Sequence, residues 1–145
     1  MVVGLTLALS ASAAKDPNEK AIKSRKAVMT LQSWYAGPLF QMAKGKMDYD
    51  AETAGANAAA LHTMATIKGD MMWPSGTDTG AYEGKTRALP EIWSTWPEVG
   101  NKARALSDAT AALAEVAGDG LDALRSKIGP VGEACGACHD DFRAE

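Results

Sequence analysis

A chain of 145 residues can bury one hydrophobic core but is short for two, so a single domain is expected. Its net charge of −3 and sequence pI near 5.4 offer no basic field for neutralising phosphates, which argues against nucleic acid as a partner. Alanine is abundant while β-branched and aromatic residues are sparse, a composition that favours helix over sheet and points to the all-α class.

The first stretch, Met1 to Ala14, carries no charge and contains an apolar run from Val2 to Leu9 followed by Ala11-Ser12-Ala13-Ala14. That pattern resembles the end of a secretory signal with its small-residue cleavage site, although no Lys or Arg precedes the run. The run is far below the roughly 20 residues that cross a bilayer, so no stable membrane span is expected. On this reading residues 1–14 are a signal remnant, residues 15–145 form the domain, and the mature chain starts near Ala14 or Lys15. Export would place it where free thiols tend to oxidise, so both cysteines need an occupation.

Four stretches then show helical periodicity. The first runs from about Asp16 to Lys44, with Pro17 where a first-turn proline is tolerated. Ile22, Met29 and Ala36 form one apolar stripe, and Val28, Leu31, Tyr35, Leu39 and Met42 a second. Gly37-Pro38 predicts a kink rather than an end, because proline removes one internal hydrogen bond and crowds the preceding turn. After Gly45, a second helix is expected from near Asp50 to about Met71. The segment Trp73 to Pro90, with Pro74, Gly76, Gly80 and Gly84, reads as a long crossover loop of the length usually kept for function. Ala103, Leu106, Ala109, Leu113 and Val116 restore the helical period between Trp96 and Ala117, and Gly118 and Gly120 supply a stop. The last helix begins near Leu121, is disturbed at Gly129-Pro130 and resumes to the C-terminus. Short, long and short connections then give an antiparallel four-helix bundle that can hold a cofactor between facing helices.

The most informative residues are Cys135-Gly136-Ala137-Cys138-His139, the C-x-x-C-H pattern of c-type haem attachment. Two thiols about one helical turn apart can each add to one vinyl group of a single haem. His139 is then carried over the porphyrin face, where its imidazole can bind iron. Small residues at Gly136 and Ala137 let the backbone approach the ring edge. A thioredoxin-like site would need a βαβ context, a structural zinc site needs four ligands, and a plain disulfide leaves the adjacent histidine unexplained.

With Arg25-Lys26-Ala27-Val28-Met29, Leu89-Pro90-Glu91-Ile92-Trp93 and Cys135 through Arg143, the sequence resembles the class II cytochromes c, typified by cytochrome c′. In that family the C-x-x-C-H motif lies in the fourth helix. The resemblance covers nearly the whole mature chain. It implies an antiparallel bundle with one covalent haem c in the periplasm, often a homodimer paired through its first two helices. Cys135 and Cys138 match the thioether positions and His139 the proximal iron ligand. Arg143 matches the basic residue beside that histidine, and four-residue spacing on a helix would put it one turn away on the same face. Arg25 matches the position that approaches a haem propionate, and Lys26 and Arg87 are weaker candidates for the same role. Trp93 matches a segment near the haem and is read either as packing on the porphyrin edge or as an ordinary buried indole. Met29 matches the distal position, where it either ligates the iron or merely covers an open site. His62, mid-helix among alanines, is placed on the surface.

These residues lead to a non-enzymatic one-electron carrier serving periplasmic redox partners. The alternative is a five-coordinate cytochrome c′ that captures nitric oxide or carbon monoxide. A peroxidase-like enzyme is the weakest reading, since the first helix offers apolar neighbours rather than a distal acid-base group.

Overall fold

The computed structural model describes residues 16–145, and the signal-like segment at the start of the chain lies outside them. The described residues form five α-helices: α1 (Pro17–Ala43), α2 (Ala51–Ala65), the single-turn α3 (Glu91–Ser94), α4 (Trp96–Ala114) and α5 (Leu121–Phe142). The four long ones make an antiparallel bundle. α1 packs along α2, α2 along α4 and α4 along α5, while α1 and α5 close the ring over less of their length. Among the described residues no helix is long and apolar enough to cross a membrane.

Local chemistry sets where each helix starts. The Asp16 carboxylate accepts the Asn18 amide at 2.9 Å with Pro17 in the first turn, and the Asp50 carboxylate accepts the Thr53 amide at 2.7 Å to open α2. α1 then runs unbroken through Gly37-Pro38, and α5 through Gly129-Pro130. Gly45 takes a left-handed backbone (φ 69°) just after α1, as a terminating glycine does.

Helix α2 stops at Ala65, short of the expected Met71. Thr66 folds back on the helix, its hydroxyl donating to the His62 and Thr63 carbonyls at 3.0 and 3.1 Å. Ile67 and Gly69 that follow are poor continuers, and the chain turns into a 3₁₀ turn at Asp70–Met72. The two glycines after α4 divide the work of the stop. Gly120 supplies a backbone only glycine favours (φ 136°), whereas Gly118 lets α2 come close, since a Cβ there would lie 3.3 Å from the Ala51 carbonyl oxygen. Tyr49 staples the same corner, its hydroxyl donating to the Ala117 carbonyl and accepting the Gly120 amide, both at 2.9 Å.

The main core fills the lower bundle with Leu39, Met42, Leu61, Leu113, Leu124 and Val131. His62 sits at its edge rather than on the free surface. Its Nδ1 lies 3.1 Å from the hydroxyl of the buried Thr110, because alanine-rich α2 approaches α4 closely enough for the ring to reach across the seam.

Two outcomes follow for stability. Leu124 is fully buried, so Leu124→Ala should lower the unfolding free energy by about 2–5 kcal/mol in denaturant titration. The capping bond from Thr53 holds the Asp50 carboxyl below its ordinary value, as bonds from Tyr82 and Asn18 do for Asp16. A carboxyl depressed in the folded state stabilises the fold above its unfolded pKa and loses that contribution as pH falls through the folded value. Melting temperature should therefore drop below about pH 4, and Asp50→Ala should make that drop shallower.

Candidate functional site

Cys135, Cys138 and His139 occupy positions i, i+3 and i+4 on α5, so one helical face presents all three. The face is half-buried. Cys135 packs against the main core, and Cys138 packs against a second apolar cluster built from Ala88, Ile92 and Phe142 with Trp73, Trp93 and Val99 at its border. Burial pushes both thiols above the usual range and so favours the uncharged form. Burial, and then the nearby positive charges of Arg143 and Arg87, pull the His139 pKa down, which favours the neutral imidazole that binds metal.

The opposite wall is α1. Its register on α5 is set by the Arg125 Nε–H, which donates to the Ala43 carbonyl at 2.9 Å, and by Gly132, whose missing side chain admits the Phe40 ring. Continued along the two antiparallel helices, that register brings Met29 level with the last turn of α5, which carries His139. Met29 is 42% exposed, and Leu31 and Trp34 on the same helix are exposed as well.

Arg25, one turn before Met29, is only 3% exposed and lies beneath the crossover. Its Nη1 donates to the Thr77 hydroxyl at 2.7 Å and the Met72 carbonyl at 3.4 Å. Its Nη2 donates to the Thr77 carbonyl at 2.5 Å and the Thr86 hydroxyl at 2.9 Å. The guanidinium also lies 4.6 Å from the Trp73 ring centroid and 5.8 Å from that of Trp93, a cation–π arrangement. The two indoles are tilted at 6.3 Å, and the Trp93 indole N–H donates to the Trp73 carbonyl at 3.0 Å.

The remaining expected residues fall at the rim. Lys26 is exposed and donates to the Lys85 carbonyl at 3.2 Å, while Arg87 donates through Nε to the Ala144 carbonyl at 2.7 Å. Arg143 is not on the helix as its spacing suggested: α5 ends at Phe142, and Arg143 is extended, its amide bonding the His139 carbonyl at 3.0 Å. It still shares a surface groove with His139, Asp140 and Arg87, because that bond holds it against the last turn.

Sequence reasoning missed Thr77, Thr86 and Trp73, and the Lys102–Asp141 ion pair at 2.8 Å that ties α4 to α5 beside Cys138. The threonines carry no local signal, since their value comes from a partner on α1. α3 also went unforeseen, although Leu89-Pro90-Glu91-Ile92-Trp93 had been singled out as a segment.

The residues present suit haem c. Two thiols and an imidazole are presented on one face, both thiols border apolar surface, and no neighbouring atom lies within 4 Å of where a Cβ on Gly136 would stand. Cys135 and Cys138 would hold the group covalently and the His139 imidazole would supply a nitrogen to its iron.

Comparison with known proteins agrees with this donor set. The family model described as Cytochrome C′ matches residues 20–143. Cytochrome c′ of Cereibacter sphaeroides is 36% identical over 145 residues, covering 100% of this chain and 97% of the relative. The solved structure of a Rhodobacter cytochrome c′ superposes with a TM-score of 0.85 at 37% identity, covering 88% of this chain and 98% of that one. A variant of cytochrome c prime from Alcaligenes xylosoxidans, solved as its nitric oxide complex, superposes with a TM-score of 0.76 at 34% identity over 91% of this chain and 98% of that one. With a covalent haem-attachment motif in the last helix of a four-helix bundle, and relatives matched along nearly their full length, this chain belongs to the cytochrome c′ family and is a haem c protein.

Proposed function

We propose that this protein is a periplasmic, non-enzymatic one-electron carrier that uses a single haem c. The observation that carries this reading is the donor face of α5: Cys135, Cys138 and His139 are only half-buried, so the attached group would lie near the surface, where a partner can exchange an electron. Haem would supply an iron that gains and loses one electron and can hold a small ligand. The chain's own part is to keep His139 neutral and aimed, and to line the other wall with residues that do not transfer protons. Met29 and its immediate neighbours Val28 and Thr30 on α1 carry no carboxylate or imidazole, which speaks against a peroxidase-like role.

A second reading, capture of a diatomic gas, is favoured by the nitric oxide complex of the Alcaligenes relative. The same geometry serves it. A thioether at Met29 that bonded the iron would favour a low-spin carrier, and one that only covered the site would leave room for nitric oxide or carbon monoxide. Exposed Leu31 and Trp34, the latter at 72%, give α1 an outward apolar face suited to a second copy of the chain, and a homodimer through this helix completes the proposal.

Two experiments test these readings. Acid-acetone extraction should leave haem on the unmodified chain, while Cys135→Ala combined with Cys138→Ala should release it; release from the unmodified chain would remove the covalent assignment. For the distal side, a low-spin ferric spectrum that becomes high-spin in Met29→Leu, with faster carbon monoxide binding, supports ligation and electron carriage. A high-spin spectrum unchanged by Met29→Leu decides for gas capture.

A further inference from the structure

We propose that Arg25, on the helix facing the haem-attachment helix, is a positioning residue for the iron-ligating turn, acting through Thr86 and a short backbone bridge at the end of α5. The chain of contacts is continuous. Arg25 Nη2 donates to the Thr86 hydroxyl, which also accepts the Ala88 amide at 3.2 Å. Ala88 pairs with Arg143 in an isolated antiparallel bridge. That bridge is built from the Leu89 amide on the Phe142 carbonyl at 3.0 Å and the Ala144 amide on the Arg87 carbonyl at 2.8 Å. The Arg143 amide in turn bonds the His139 carbonyl. Four links therefore join the guanidinium to the backbone of the histidine.

Each link has a physical reason to be stiff. The last carbonyls of a helix have no partner within it, so the bridge takes up an acceptor that would otherwise face water. Thr86 is nearly buried and Thr77 wholly so, which strengthens their bonds to a charged donor. The planar guanidinium reaches Thr77 and Thr86 at once, and both indoles hold its plane. An ammonium at this position is a point donor and could not span both threonines. The sequence resemblance ties Arg25 to a propionate. The structure adds a second, independent task, and its link to the iron rests on reading His139 as the ligand.

The test uses the haem-loaded protein with Thr86→Val, Thr86→Ser and Arg25→Lys. Two quantities are measured: amide exchange at Leu89, Arg143 and Ala144, and the electron paramagnetic resonance g-values of the ferric iron, which report the imidazole's field whether or not Met29 is bonded. Thr86→Val should speed exchange at Leu89 and Ala144 by about tenfold, the scale of one lost hydrogen bond, and should shift the g-values, while amides in the middle of α2 stay protected. Thr86→Ser should restore both, and Arg25→Lys should not. Unchanged exchange and g-values in Thr86→Val, or full restoration by lysine at position 25, would overturn the proposal. Should Arg25→Lys fail to fold, the two Thr86 variants decide alone. A preparation without haem would refute the haem reading and leave the hydrogen-bonded path to be judged by the exchange rates.

Discussion

The site is made in the last turn of a helix, and that constraint shapes everything around it. His139 lies in the last turn of α5, where backbone carbonyls lack partners within the helix and the chain would ordinarily loosen. The protein answers with the crossover between α2 and α4. Residues 87–89 lie along residues 142–144 as a short antiparallel pair, so a long connection supplies the hydrogen bonds that the helix cannot. An eighteen-residue loop from Trp73 to Pro90 is costly in conformational entropy, and here it serves as the clamp for the reactive turn.

That clamp needs its own anchor, and the anchor is a buried cation. Taking a guanidinium from water is expensive unless its donors are met, and burial indeed pulls the Arg25 pKa down. Among the described residues no carboxylate bonds it. Its Nη donors instead find two threonine hydroxyls and two carbonyls, and two indole faces lie against the charge. The positive charge is thus well bonded yet not neutralised, and Asp78 is the acidic group whose field acts on it. An anionic group such as a haem propionate would be welcome beside such a cation. Buried arginine and folded crossover therefore depend on one another, and neither makes sense alone.

The bundle below the site is more ordinary. Leucine, methionine and alanine fill it, and close approaches at Gly118 and Gly132 let α2 and α1 settle against their neighbours. α1 and α5 are tied by the Arg125 bond to the Ala43 carbonyl and by the seating of Phe40 on Gly132, several turns before His139. That end of the pair is where the polypeptide packs on itself. The other end, with Met29 on α1 and Cys135 and Cys138 on α5, is where the residues suited to holding a haem gather.

Much of this was legible in the amino-acid order because it is local. Cys135, Cys138 and His139 form a contiguous motif whose spacing has one good chemical explanation, and helical periodicity with punctuating glycines marks the four long helices within a few residues. Asp16, Pro17 and Gly45 act on their immediate neighbours, so their effects can be read where they stand. The end of α2 was harder, since the back-folded Thr66 hydroxyl competes with apolar periodicity that continues beyond it. Arg143 looked helical by spacing, yet pairing with the crossover drew it into an extended conformation. Only the tertiary structure decided the rest: that His62 meets Thr110 across a seam, and that Arg25 finds its partners 47 to 61 residues away in Met72, Thr77 and Thr86. A threonine's identity says nothing of a guanidinium brought to it by another helix, because a hydrogen bond between distant segments exists only once packing has put donor and acceptor within reach.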